Sequence, residues 1–291
     1  MGAADVVPGV SGGTIAFITG IYDNLIQSLR LITPGLLYKI KQDGLKNTLH
    51  YVNAPFLTAI LLGILTSIFS LAQLVTWLLA VYPIPLWSFF FGLIIISTVH
   101  ILKQIKHFSF FSCILILLGG GFAYTITIMH PLAISAVGIN IVLGGAIAIC
   151  AMILPGISGS FILLLLGLYS PILEAIKNLN LEIMALFALG ALLGLLSFSH
   201  LLSFLLKNYK SQTFCVLVGL MLGTLGKIWP WKEVVSWRIN SHGKQVPFLE
   251  HNLLPSVYEQ VTGNSSQLIL ACCFFVIGIL IIYLLEKTSR R

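Results

Sequence analysis

Charge is what this sequence has least of. Nine Asp and Glu and sixteen Lys and Arg account for 9% of the 291 residues, whereas 58% are hydrophobic. Soluble domains carry roughly 25% charged residues, so a soluble globular enzyme is excluded. With a mean hydropathy of +1.01 the chain reads as an integral membrane protein. The shortage of acids also removes classes of chemistry. There is no Asp/Glu cluster at metal-ligand spacing, no G-x-S-x-G elbow and no Gly-Lys-Ser/Thr phosphate loop. Metal-dependent or acid–base hydrolysis and ATP-driven work within this chain are therefore unprovisioned, and no catalytic residue, metal or cofactor is expected. Cys113, Cys150, Cys215, Cys272 and Cys273 form neither a disulfide framework nor a zinc pattern. The first residues, MGAADVVPG, lack a basic run followed by an apolar one, so no cleavable signal peptide is expected. The formal charge of +7 is strung between apolar blocks and not gathered on one face, which argues for membrane topology and against nucleic acid.

What is present is apolar length. Blocks long enough to cross a bilayer fall at 54–80, 86–102, 109–129, 183–206, 211–228 and 266–285. Two further apolar regions, 3–29 and 139–176, are interrupted by Pro8-Gly9 and Pro155-Gly156, which a continuous helix does not tolerate. The arm after the second break, Gly159–Tyr169, spans about 16 Å at helical rise, and the arm before Pro8 is shorter still. Both regions read as re-entrant helical hairpins, whose irregular backbone is tolerated at depth only where protein or a watery cavity covers it.

The two broken regions are copies. A shift of 147 positions lays ADVVPGVSGGTIAFITGIY (4–22) on AMILPGISGSFILLLLGLY (151–169), and nearby offsets bring LLGIL (61–65) onto LLGLL (192–196) and FFGLI (90–94) onto LVGLM (217–221). The chain thus divides into 1–135 and 136–291, each a hairpin followed by three spans. Three is odd, so the second copy is inverted. The expected fold is an all-α polytopic membrane protein with an inverted-topology repeat, the plan of many secondary transporters.

Counting Lys and Arg by side places both termini in the cytoplasm. That side then holds Arg30, Lys39, Lys41, Lys46, Lys103, Lys106, Lys207, Lys210, Lys287, Arg290 and Arg291, eleven of the sixteen. All five tryptophans fall towards the other interface, and the stretch from about Trp229 to Ser265 is the one sizeable segment outside the membrane.

Each break runs into a new helical arm through Ser11-Gly12-Gly13-Thr14 or Ser158-Gly159-Ser160. Glycines allow close backbone approach, and hydroxyls beside the unpaired N–H groups of a helix N-terminus make an anion cradle for a phosphate or carboxylate. Small residues also serve close helix packing, but two copies at two Pro-Gly breaks favour a site. Asp5 is an intramembrane carboxylate placed for proton coupling or for orienting the motif, although its repeat partner is Met152. Arg30 and Lys177 align in the same shift, one at each mouth, as headgroup contacts or interfacial snorkellers. His100 and His200 lie in spans without an acidic neighbour at helical spacing, which favours packing or hydrogen bonding over proton shuttling.

The strings GAADVVPGVSGGTIAFITGIY and AMILPGISGSFILLLLGLY resemble the paired motifs of the undecaprenyl phosphate translocase family. The resemblance runs over nearly the whole chain. Members of that family carry a short segment ahead of the first string, which here follows Met1 directly. The resemblance implies a bacterial inner-membrane carrier that returns the polyprenyl phosphate lipid from the outer to the cytoplasmic leaflet for peptidoglycan and other envelope polymers. It maps the motif residues onto Asp5, Pro8, Gly9, Ser11, Gly12, Gly13, Thr14, Pro155, Gly156, Ser158, Gly159 and Ser160. The partners expected are the lipid, the membrane and protons as coupling ion. Two alternatives stay open on the residues alone: a small-anion transporter or channel, and an undecaprenyl-diphosphate phosphatase-like membrane enzyme.

Overall fold

The computed structural model describes residues 1–2, 11–33, 35–105, 108–129, 132, 134–239 and 245–289. In chain order these form α1 (Gly12–Ile18), α2 (Tyr22–Arg30), α3 (Leu36–Tyr51), α4 (Ala54–Val81), α5 (Pro83–Gln104) and α6 (Phe110–Ile128). There follow α7 (Gly138–Ile153), α8 (Gly159–Leu165), α9 (Tyr169–Lys177), α10 (Leu181–Asn208), α11 (Lys210–Gly223) and a 3-10 turn (Leu225–Ile228). Strands β1 (Lys232–Ile239) and β2 (Gln245–Asn252), then α12 (Pro255–Thr262) and α13 (Leu268–Ser289), complete the chain.

Helices cover all six stretches read as spans. Among the described residues α5, α6 and α10 are each long and apolar enough to cross a bilayer, a count that rises to five if each of two bent pairs is one span. The 14 residues of α11 give only about 21 Å, and the 3-10 turn extends them. Large apolar side chains on α6 and α13, Leu117, Leu118, Phe122 and Ile269 among them, remain exposed, as on lipid-facing helices. The molecule is a polytopic helical membrane protein.

Three features depart from the sequence reading. The arm after the second break is shorter than Gly159–Tyr169: α8 has 7 residues and turns by 109° into α9. The cause is Gly167, whose φ of 74° ends the helix, and Gly20, 147 positions earlier, ends α1 the same way with φ 73°. Secondly, the segment after Trp229 is not all helix, because β1 and β2 pair antiparallel from Lys232↔Asn252 to Ile239↔Gln245 with an irregularity around Ser236. Thirdly, α4 and α10 are both 28 residues long, and each is followed by one tyrosine of matching backbone, Tyr82 (φ −130°, ψ 56°) and Tyr209 (φ −132°, ψ 45°). Their ends coincide at an offset of 127, which sets Gly63 opposite Gly190 rather than opposite Gly194 as the LLGIL match suggested.

The packing of the last spans is reciprocal. A Cβ on Gly92 of α5 would lie 2.3 Å from the Phe275 carbonyl of α13, and one on Gly278 of α13 would lie 2.4 Å from the Phe89 carbonyl of α5. In the same manner Gly219 of α11 faces the Ile116 carbonyl of α6, and Gly119 of α6 faces the Val216 carbonyl of α11. Glycine is what lets these backbones touch. Offsets of 127 for α5/α11 and 159 for α6/α13 convert one pair of contacts into the other, the increase matching the strands and α12 inserted between α11 and α13.

Candidate functional site

The second break forms where Pro155 stops α7 and Gly156 takes φ 90°, a conformation that side chains resist. A Cβ on Gly156 would also meet Thr224 Oγ1 at 2.8 Å. The last carbonyls of α7 have no helical partner, and the first motif supplies donors to them. Ser11 Oγ donates to the Met152 carbonyl at 3.0 Å, and the Tyr22 hydroxyl donates to that of Ile153 at 3.2 Å. In the other direction the Gly156 amide donates to Thr14 Oγ1 at 2.9 Å. Ser11 also caps α1, accepting from the Gly13 amide at 3.0 Å. Gly13 is pressed so closely on α7 that a Cβ would sit 2.5 Å from the Ile153 carbonyl. The positive end of α1 thus rests on the negative end of α7, and the two motifs meet.

Around this contact the core is aromatic and dry. The Phe17 ring lies 4.8 Å from that of Tyr22 and 5.3 Å from that of Phe214, centroid to centroid. Ser11 and Thr14 are 1% and 0% exposed. The second copy differs. Ser158 is half-buried and Ser160 exposed, their hydroxyls 2.8 Å apart, and Ser158 gives no side-chain bond to the first turn of α8. Gly159 lies against α7, where a Cβ would be 2.6 Å from the Ala148 carbonyl.

The residue after Ser160, Phe161, carries a cation on its ring: the Lys227 ammonium lies 5.0 Å from the ring centre. The β-hairpin holds the turn that carries Lys227. Lys232 Nζ donates to the Lys227 carbonyl at 2.7 Å and to Glu250 Oε2 at 3.1 Å, and lies 4.5 Å from the Trp87 ring centre. Burial pushes the Lys232 ammonium down from the ordinary lysine range, and the Glu250 carboxylate opposes that shift. Lys227 and Thr224 were not singled out from sequence. The FFGLI/LVGLM match carries a signal for them, since it lays Ser97 on Thr224 and His100 on Lys227.

Of the remaining residues, Asp5, Pro8 and Gly9 lie outside the described residues, while Gly12 and Pro155 are buried. Arg30 donates to Ser203 Oγ at 3.2 Å and lines a cavity of about 480 Å³ whose walls include none of the motif residues. Lys177 is exposed at the end of α9. His200 Nδ1 lies 2.8 Å from the Leu196 carbonyl of its own helix, a local hydrogen bond.

A polytopic helical protein whose Pro155-Gly156 break is packed against the Ser11–Thr14 motif has the build of a membrane transporter. Comparison with known proteins identifies which. Residues 1–246 match the family described as undecaprenyl phosphate translocase-like. The polyprenyl-phosphate transporter of Vibrio cholerae serotype O1 is 53% identical over 291 residues, all of this chain and 94% of that protein. That of Staphylococcus aureus is 31% identical over 261 residues, 82% of this chain and 87% of its own. No solved structure matches. The chain belongs to the undecaprenyl phosphate translocase-like family and is a transporter, not an enzyme.

Proposed function

We propose that this chain carries a polyprenyl phosphate, with undecaprenyl phosphate as the family's substrate, from the outer to the cytoplasmic leaflet of a bacterial inner membrane, both termini being cytoplasmic. The headgroup of a lipid monophosphate must cross the apolar core, whereas its tail can stay in lipid. A site that binds the phosphate within the bilayer and opens to each side in turn lowers that barrier, and inverted repeats supply the motion. Support for two inverted halves, 1–135 and 136–291, comes from the reciprocal glycine contacts and from α1/α8 and α2/α9, whose bounds differ by 147 throughout.

The observation that carries the reading is the unequal state of the two cradles. Ser11 and Thr14 are buried and bonded to the other motif, while Ser158 is half-buried and Ser160 exposed, one residue before the Phe161 ring that Lys227 contacts. In this conformer the second cradle is open and the first is closed. The phosphate binds the hydroxyls and the N–H groups of Ser158, Gly159 and Ser160, with Lys227 as counter-charge. In the alternate conformer Ser11, Gly12, Gly13 and Thr14 take that role. Pro155-Gly156 is the break of the second half and Pro8-Gly9 its counterpart by the sequence repeat, Arg30 and Lys177 stand at the mouths, and Asp5 couples the cycle to protons.

Reconstitution into liposomes, scored by transbilayer movement of an undecaprenyl phosphate reporter, tests this. Ser158→Ala/Ser160→Ala removes hydrogen bonds to a charged group without touching the packed glycines. We expect at least about a tenfold loss of rate, since such bonds contribute about 1.5–3 kcal/mol each. An unchanged rate in well-folded double variant rejects the cradle, and movement of small anions with none of the lipid rejects the substrate.

A further inference from the structure

The cavity at the junction of α2, α10 and α11 takes no part in the breaks, yet it gathers more charge than any span requires. Arg30 closes α2, Lys207 lies in the last turn of α10 and Lys210 opens α11, and all three line it with Asp23 and Ser203. Cations at the ends of α2 and α10 suit the helix dipole, but Lys210 sits at a helix N-terminus, where a cation is disfavoured. Its ammonium pairs with Asp23 Oδ2 at 2.8 Å, and both side chains stay about half exposed, at 56% and 41%. Lys207 makes no ion pair with another described residue. Ser203, buried at 6%, accepts from Arg30, and unlike Ser88 and Ser197 it returns no hydrogen bond to the carbonyl one turn back. Its hydroxyl proton is therefore available to an acceptor in the cavity.

The cavity draws on both halves, and the positions related to it by the repeat do not carry the same residues. The 147 offset sets Ser170 and Lys177 at the positions of Asp23 and Arg30, and the 127 offset sets Thr76, Ala80 and Pro83 at those of Ser203, Lys207 and Lys210. A general excess of positive charge on one side of the membrane accounts for lysines there, but not for three cations from three helices converging on one hollow with a buried hydroxyl. Three cations and one carboxylate leave a formal charge of +2, the complement of a phosphate monoester, which carries about −1.5 to −2 at neutral pH. At about 480 Å³ the cavity is of ligand size, with apolar wall from Ile26, Leu31 and Leu206.

We propose that this cavity is a phosphate-monoester site at one mouth of the transporter only, in which Arg30, Lys207, Lys210 and the Ser203 hydroxyl hold the phosphate and Asp23 is the resident anion that it displaces from Lys210. This rests on the translocase reading and deepens it: the two mouths differ in affinity for the headgroup, so the half-cycles are not equivalent although the halves are copies.

The test uses the full chain in zwitterionic lipid nanodiscs, with labelling of Lys207 and Lys210 by an amine-reactive reagent read by peptide mass spectrometry. Farnesyl monophosphate is expected to slow modification of both lysines at least fivefold while leaving Lys39 and Lys41 unchanged, and farnesol is expected to protect neither. Arg30→Gln should raise the half-protecting concentration about tenfold, and Asp23→Asn should lower it severalfold. Equal protection by inorganic phosphate identifies free phosphate as the ligand, and protection by farnesyl monophosphate alone identifies the lipid headgroup. Absence of protection by either overturns the proposal. Lipid movement measured on the same preparations separates the two readings. Transport without protection removes the cavity site and leaves the translocase standing, and protection without transport does the reverse.

Discussion

Thr14 Oγ1 accepts from an amide 142 positions along the chain, in a place with no access to water. Thr14→Val keeps the shape and removes the acceptor, leaving the Gly156 N–H buried and unpaired at a cost of about 1–3 kcal/mol. Thermal unfolding in detergent should show the loss, with Thr14→Ser restoring most of it. If Thr14→Val unfolds like the wild type, the two motifs are not held by this bond. Sequence reasoning singled out Ser11 and Thr14 as phosphate-binding hydroxyls, and the fold bonds both to the other motif. Such reasoning could not tell a hydroxyl that faces a ligand from one that binds the opposite motif, because the partner is set by the tertiary fold and leaves no local pattern. The same reason hid Tyr22, whose hydroxyl caps α7 from 131 residues away.

Helix contacts made through glycine give each element its position, and they can be separated from glycines that do nothing of the kind. Gly92→Ala and Gly219→Ala place a methyl 2.3 Å from a carbonyl oxygen on the facing helix, so each should destabilise by about 1–3 kcal/mol. Gly63→Ala and Gly121→Ala point into open space and should gain about 0.5–1 kcal/mol from helix propensity. Equal unfolding temperatures for the two sets would remove the reciprocal packing as an organising contact. At the joint of α12 and α13 the Ser266 amide and hydroxyl donate to Glu259 Oε1 at 2.9 and 2.6 Å, and these bonds hold the carboxyl below the ordinary glutamate range. A depressed pKa stabilises the fold above the unfolded value and loses that contribution as the pH falls through the folded one. The protection of the Ser266 amide, taken relative to the intrinsic exchange rate at each pH, should therefore hold down to about pH 4.3, where free glutamate titrates, and fall only below it. Apolar length and the 147-residue repeat made most helices legible. The β-hairpin was not, since its register depends on pairing across a turn, and α8 ended early at a glycine whose φ no composition reveals.

At the scale of the whole molecule the repeated motif is legible in the sequence, but not that Ser11 and Thr14 are buried while Ser160 is exposed. Local patterns are the same in both motifs, and only the fold buries one and exposes the other. The difference has a directional consequence. Lys227, which contacts Phe161, lies in the 3-10 turn at one end of α11, just before Trp229 and Trp231, whereas Lys210 opens α11 at its other end beside Lys207. Between them α11 and its 3-10 turn span about 29 Å, one hydrocarbon thickness. In a cysteine-free background, Asn264→Cys should react with a membrane-impermeant maleimide added outside intact cells, and Asn208→Cys only after permeabilisation, both positions being exposed. Labelling of both from one side would break the assignment of α11 as a span. Given the expected pattern, Ser160→Cys distinguishes the conformers. If the open cradle faces outward in the resting protein, it labels from the same side as Asn264→Cys, and Thr14→Cys from neither. Polyprenyl phosphate added to drive the cycle should then slow labelling at position 160 and expose position 14 to the cytoplasmic side. Simultaneous labelling of both positions from one side would describe a continuous channel and not alternating access, because a fixed site reached in turn from each face is never open at both cradles together.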